Sequence, residues 1–128
     1  MKTILIVDDE LRITSLYSAL LSDEGYKVYA ANSASEAYGF IKNNRVDLIL
    51  LDINMPKAGG GELYEVLRLF NCTVKVIVTS VCTPYEQKKI IKGAADYYDK
   101  SEGIDLLLYK IKEVFKNEGN KEIAGSRQ

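Results

Sequence analysis

The sequence predicts a doubly wound α/β domain, a single parallel sheet of five strands with helices on both faces. Three observations carry this prediction. Short β-branched runs recur five times along the 128 residues, the gaps between them place apolar residues at helical spacing, and two helix starts carry explicit capping signals. At 14.3 kDa the chain is the size of one ordinary domain with one hydrophobic core.

The first run is Thr3–Val7, and the gap after it carries the stripe Ile13, Leu16, Tyr17, Leu20 and Leu21. The second is Val28–Ala31. There Ser33-x-x-Glu36 is a capping box, opening a helix with Ala34, Ala37, Tyr38 and Ile41 on one face. The third, Leu48–Leu51, is uninterruptedly apolar, as a strand buried on both faces should be, and is followed by Leu63, Val66, Leu67 and Phe70. After the fourth run, Val74–Val78, the stretch Thr83-Pro84-x-Glu86 combines a cap, a proline at the first helical position and a matching glutamate. This helix shows only Ile90, Ile91 and Ala94 against Glu86, Gln87, Lys88, Lys89 and Lys92, a thin apolar footing. The fifth run, Ala95–Tyr98, is weaker and precedes Leu107, Leu108, Ile111 and Phe115. Beyond these the segment "KNEGNKEIAGSRQ" loses its period. Residues 1–116 therefore read as the domain and 117–128 as a polar tail or the start of a linker.

Composition narrows the chemistry. A formal net charge of −1 gives no pull toward nucleic acid or anionic membrane, and no stretch is long enough to span a bilayer. The N-terminal apolar stretch, Ile4–Val7, is far too short for a signal-peptide core, so a cytoplasmic location with reduced Cys72 and Cys82 is expected. Histidine is absent, which removes histidine-based nucleophile activation and any phosphohistidine within this chain.

The polar residues gather at the strand ends, where open parallel sheets bind ligands. The first strand ends in Asp8 and Asp9, the third in Asp52, the fourth in Thr79 and Ser80, and the fifth in Asp99 and Lys100. With strand order 2-1-3-4-5 the first and third are neighbours and three carboxylates meet. Any one of them alone reads as a turn former or a helix cap. Two unit charges about 4 Å apart repel by roughly 4 kcal/mol at an effective dielectric near 20, so such a cluster calls for a compensating cation, and Mg²⁺ suits an all-oxygen half-shell. The same charges argue against a flavin phosphate beside "DDE", and Asn54 stands where a haloacid-dehalogenase-type phosphatase needs a second acid.

In order and spacing, "ILIVDDE", "LILLDINMP", "VIVTS" and "GAADYYDK" resemble the receiver domains of bacterial two-component response regulators, over about Lys2 to Phe115. The resemblance implies the flavodoxin-like receiver fold and a phosphorylation switch. In it Asp52 is the phosphoacceptor, and Mg²⁺ is held by Asp8, Asp9, Asp52 and the backbone carbonyl of Asn54. Lys100 pairs first with Asp52 and then with a phosphoryl oxygen, Ser80 swings in to another, and Tyr97 changes rotamer with it. Gly60 turns the loop after Asp52. Taken singly, Lys100 is a surface lysine, Ser80 a turn hydroxyl and Tyr97 a half-buried aromatic; only the constellation gives them these roles. The other tyrosines, Tyr98 and Tyr85 among them, read as packing residues. An exposed carboxylate at a strand end is expected to attack phosphorus in line, with readout through the fourth helix, fifth strand and fifth helix. The implied partners are a sensor histidine kinase or phosphotransfer protein and a downstream effector, with no direct nucleic-acid or membrane contact. The protein itself is a phosphoacceptor rather than an enzyme. The last helix carries no unmistakable pairing signature and leaves dimerisation open.

Two positions depart from the family pattern. Ser101 replaces the usual proline after the lysine, so either a strained cis bond is retained or the loop differs and Lys100 sits less securely. Val81 is bulkier than the usual small residue and narrows access. These departures support a second reading, a receiver-like interaction module that needs no phosphate; a metal-dependent phosphatase is a distant third.

Overall fold

The computed structural model describes residues 1–55, 60–70 and 74–126, and the side chains of these except 60, 69–70 and 118–126. Strands β1 (Thr3–Val7), β2 (Lys27–Ala31), β3 (Leu48–Asp52), β4 (Lys75–Ser80) and β5 (Asp96–Asp99) alternate with helices α1 (Leu11–Asp23), α2 (Ala34–Asn43), α3 (Gly60–Phe70), α4 (Pro84–Ile90) and α5 (Ile104–Ser126). The sheet is parallel throughout, in the order β2-β1-β3-β4-β5.

Alternation along the strands divides the core into two layers. Leu5, Val7, Ile49, Leu51, Val76 and Val78 pack with Ala37 of α2 and with Leu63, Tyr64 and Leu67 of α3. Ile4, Ile6, Leu48, Leu50 and Ile77 meet Tyr17 and Leu21 of α1 and Leu107, Ile111 and Val114 of α5. β3 is central and buried at every position, which is why its sequence is continuously apolar up to Asp52. Both capping signals act as helix starts, with Ser33 Oγ accepting the Glu36 N–H at 3.1 Å and Thr83 Oγ1 accepting the Glu86 N–H at 3.3 Å.

The helix faces differ from the sequence reading in places. Leu16 and Tyr38, expected in apolar stripes, are exposed, while Thr14 takes a buried position on α1. α4 is only seven residues long; Ile90 faces solvent and Gln87 is the buried residue, with Ile91 buried just past the helix end. α5 continues through the segment read as a tail, to Ser126. The expectation for Cys72 lies outside the described residues, as does that for the Phe70 side chain. Gly60 begins α3, and the loop it was expected to turn also lies outside them.

Candidate functional site

The carboxyl ends of β1 and β3 lie side by side because Val7 pairs with Leu51. Asp8 follows directly, its N–H donating to Ala31 O at 3.1 Å and its Oδ1 accepting the Glu10 N–H at 2.9 Å. Asp52 ends β3, and its Oδ1 accepts the Asn54 N–H at 2.9 Å. Carboxylate oxygens of Asp8, Asp9 and Asp52 all lie within 4.8 Å of one another. Asp9 is exposed and Asp8 buried. Every donor is a hard oxygen, which fits Mg²⁺.

The compensating charge comes from the residue that follows β5. Lys100 Nζ is 2.7 Å from Asp8 Oδ2 and 3.3 Å from Asp52 Oδ2, so one ammonium bridges the two buried carboxylates. Burial pushes the Asp52 carboxyl above its ordinary value, opposed by the Asn54 amide and Lys100 and assisted by Asp8. For Lys100, burial works against the charged form, but Asp8 and Asp52 outweigh it and the amine is held above its usual range. Tyr17 stands near the same charges. Burial first, then Asp8 and Asp52, push its hydroxyl up to about 12.

One expectation is corrected. Asp52 is 2% exposed, not an open carboxylate at a strand tip, because its strand is central and Asp8 and Lys100 close over it.

Ser80 is fully buried. Its Oγ donates to Asn54 Oδ1 and accepts the Cys82 N–H at 3.0 Å. The hydroxyl is thus engaged with the loop after Asp52 rather than with the Asp52 carboxylate. Tyr97 points inward, its hydroxyl donating to Ile91 O at 2.7 Å and accepting the Ala94 N–H at 3.3 Å. It therefore braces the end of α4, and the structure does not bring it to Ser80. Val81 is exposed.

The loop after Lys100 settles the alternatives raised by Ser101. Among the described residues no peptide bond is cis. Ser101 instead donates its N–H at 2.9 Å and its hydroxyl at 2.7 Å to Asp99 Oδ1, a pair of bonds in which a proline could not take part. Tyr98, read from sequence as packing alone, donates its hydroxyl to Glu102 O at 2.7 Å and lies 3.1 Å from Gly103 O, pinning the same loop. The loop differs, and Lys100 still reaches both carboxylates.

Gln87 is the other residue that sequence reasoning missed. It was grouped with the solvent-facing residues of its helix, yet it is fully buried. Its position four before Ile91 and seven before Ala94 was the signal, since that spacing shares one helical face. A cleft of about 360 Å³ lined by Tyr64, Leu67, Val74 and Ala95 sits at the opposite ends of β4 and β5 and offers no carboxylate.

The family model for the response regulator receiver domain matches residues 4–112. The chain is 33% identical over 122 residues to the phosphate regulon transcriptional regulatory protein PhoB of Pseudomonas aeruginosa, covering 92% of this chain and 53% of that protein. It is 32% identical over 115 residues to the CAI-1 autoinducer sensor kinase/phosphatase CqsS of Vibrio cholerae, covering 86% of this chain and 17% of that one. The response regulator protein TrrA of Thermotoga maritima, solved in complex with Mg²⁺-BeF, matches with a TM-score of 0.82 at 33% identity over 89% of this chain and 99% of its own. A response regulator receiver domain protein (CheY-like) from Methanospirillum hungatei matches at 0.85 and 33% identity, over 94% and 98%. The chain spans about half or less of the length of these curated relatives.

Proposed function

The chain belongs to the response regulator receiver domain family, and from that premise we propose that it is a phosphorylation-dependent signalling switch whose phosphoacceptor is Asp52. The observation that carries this reading is the convergence of Asp8, Asp9 and Asp52 with a single bridging ammonium from Lys100. A structural ion pair needs one carboxylate; three that lie together with one ammonium bridging two of them leave the corner short of positive charge.

Asp8, Asp9, Asp52 and the backbone carbonyl of Asn54 would hold Mg²⁺, which when bound neutralises charge on the phosphoryl oxygens. The chain's own residues do the rest. Asp52 attacks phosphorus in line, forming an acyl phosphate while the bond to the donor breaks and its electron pair leaves with the donor. Lys100 moves from the carboxylate to a phosphoryl oxygen, and the Ser80 hydroxyl leaves Asn54 for another. The product adds up to about two negative charges, which bias a two-state loop. Readout runs through α4, β5 and α5, where Tyr97 changes rotamer.

The donor is the phosphohistidine of a sensor histidine kinase or a phosphotransfer protein, since this chain has no histidine. The receiver unit ends near residue 116, it works in the cytoplasm on a downstream effector, and it is a phosphoacceptor that assists its own phosphorylation and loses the group by hydrolysis. Dimerisation through α4, β5 and α5 fits this scheme without being required by it. Among the described residues no helix is long and apolar enough to cross a membrane.

Incubation with Mg²⁺ and acetyl phosphate followed by intact mass tests the proposal. A gain of one phosphoryl group, lost in Asp52→Asn, supports it. The burial of Asp52 and the engagement of Ser80 with Asn54 favour a second reading, a receiver-like interaction module independent of phosphate. No gain, with partner binding intact in Asp52→Asn, would select that one.

A further inference from the structure

α4 is held by hydrogen bonds more than by packing. Gln87 is its one fully buried side chain, and its Nε2 donates to Cys82 O at 2.8 Å and to Tyr98 O at 2.9 Å. Its Oε1 is buried without a hydrogen-bond partner, the one such side-chain atom among the described residues. Keeping an orphaned buried carbonyl is unfavourable, and an apolar residue of equal length would fill the same space without it. The two bonds from Nε2 are what distinguish glutamine here.

Those bonds end at informative places. Cys82, whose carbonyl Gln87 holds, donates its own N–H to Ser80 Oγ, and Ser80 Oγ donates to Asn54 Oδ1. Tyr98, whose carbonyl Gln87 also holds, lies two residues before Lys100 and pins the loop that follows it. A continuous polar path therefore runs from the loop after Asp52, through Ser80 and Cys82, to Gln87 and the strand that delivers Lys100. Ser80 cannot swing toward Asp52 without giving up the Cys82 N–H. The carbonyl of the same residue is fastened to α4.

We propose that Gln87 is a positioning residue that holds Ser80 in its resting place against Asn54, so that movement of Ser80 toward a phosphorylated Asp52 must release or drag α4 through the Gln87–Cys82 bond. This rests on the reading of Asp52 as phosphoacceptor. At the other end of the helix the Tyr97 hydroxyl holds Ile91 O, so α4 is fastened at both ends by groups that can let go.

The test uses Gln87→Met, which keeps length and removes both donors. Unphosphorylated Gln87→Met is expected to exchange its Cys82 amide and α4 amides as fast as phosphorylated wild type does, and to take up phosphoryl from acetyl phosphate faster by about fivefold for each hydrogen bond released. In a Ser80→Ala background the same substitution is expected to leave uptake unchanged, which simple loosening of the fold would not produce. Wild-type exchange and wild-type uptake in a folded Gln87→Met would overturn the proposal while leaving Asp52 as acceptor. If wild type takes up no phosphoryl, the acceptor reading fails and the coupling of Ser80 to phosphorylation is overturned with it, even where Gln87→Met still speeds exchange at Cys82. Should the variant not fold, the side-chain NH₂ resonances of Gln87 in the otherwise native chain give the answer. They are expected to shift in Ser80→Ala, and unmoved resonances would overturn the proposal.

Discussion

Replacing Lys100 by methionine isolates the electrostatics of the strand-end corner. The ammonium lies 2.7 Å from Asp8 and 3.3 Å from Asp52, and at an effective dielectric of about 20 it attracts each by about 5–6 kcal/mol before desolvation. Asp8 and Asp52 oxygens no more than 4.8 Å apart repel by at least about 3.5 kcal/mol on the same scale. Much of the attraction is offset by the cost of burying the ammonium, so Lys100→Met is expected to lower metal-free stability near neutral pH by about 3 kcal/mol. For a domain of this length that is a fall of about 10 °C in Tm. The loss should shrink on acidification, because Asp52, already raised by burial, then takes a proton and the repulsion disappears. It should shrink as well with saturating Mg²⁺, which no longer competes with an ammonium for the same oxygens. Urea unfolding of both proteins, with Mg²⁺ or with a chelator, reads these quantities. If the variant unfolds with wild type in chelator, or if Mg²⁺ stabilises wild type more than the variant, Lys100 is not the counter-ion of this site.

Three further outcomes are expected. Without metal, Asp52 binds its proton more tightly folded than unfolded, so stability should fall as pH rises from about its ordinary 3.8 through the raised folded value. The Lys100 contribution persists until pH passes above 10.5, and urea midpoints against pH should lose their acid slope in Asp52→Asn. Tyr98→Phe removes the hydroxyl that pins Glu102 and should cost about 1 kcal/mol, with slower phosphoryl uptake as Lys100 loses its support; unchanged uptake by intact mass would limit Tyr98 to packing. Val81→Ala should alter the rate of phosphotransfer or dephosphorylation, and identical kinetics would show that its bulk is irrelevant to access.

The layers of the fold were legible because β3 and its neighbours are written in continuous apolar runs and the gaps in helical period. The strand order was implied by the resemblance to receiver domains, and the meeting of Asp8, Asp9 and Asp52 followed from that order. Only one of the features that escaped depended on a contact between distant segments. The cover over Asp52 comes partly from Lys100, which follows β5, and the sequence around residue 52 does not show that contact. Gln87 was misread because residue type outweighed its place in the 87-91-94 spacing. Tyr98 was read as packing because the carbonyls its hydroxyl meets lie in a loop that composition does not describe.

The bridging lysine also orders events during synthesis. Synthesis runs from the N-terminus, so β1 and β3 emerge from the ribosome before β5 and the ammonium that follows it. A nascent chain at that stage holds its acidic corner with no built-in counter-ion. A divalent cation bound by these oxygens would supply the missing charge at that stage.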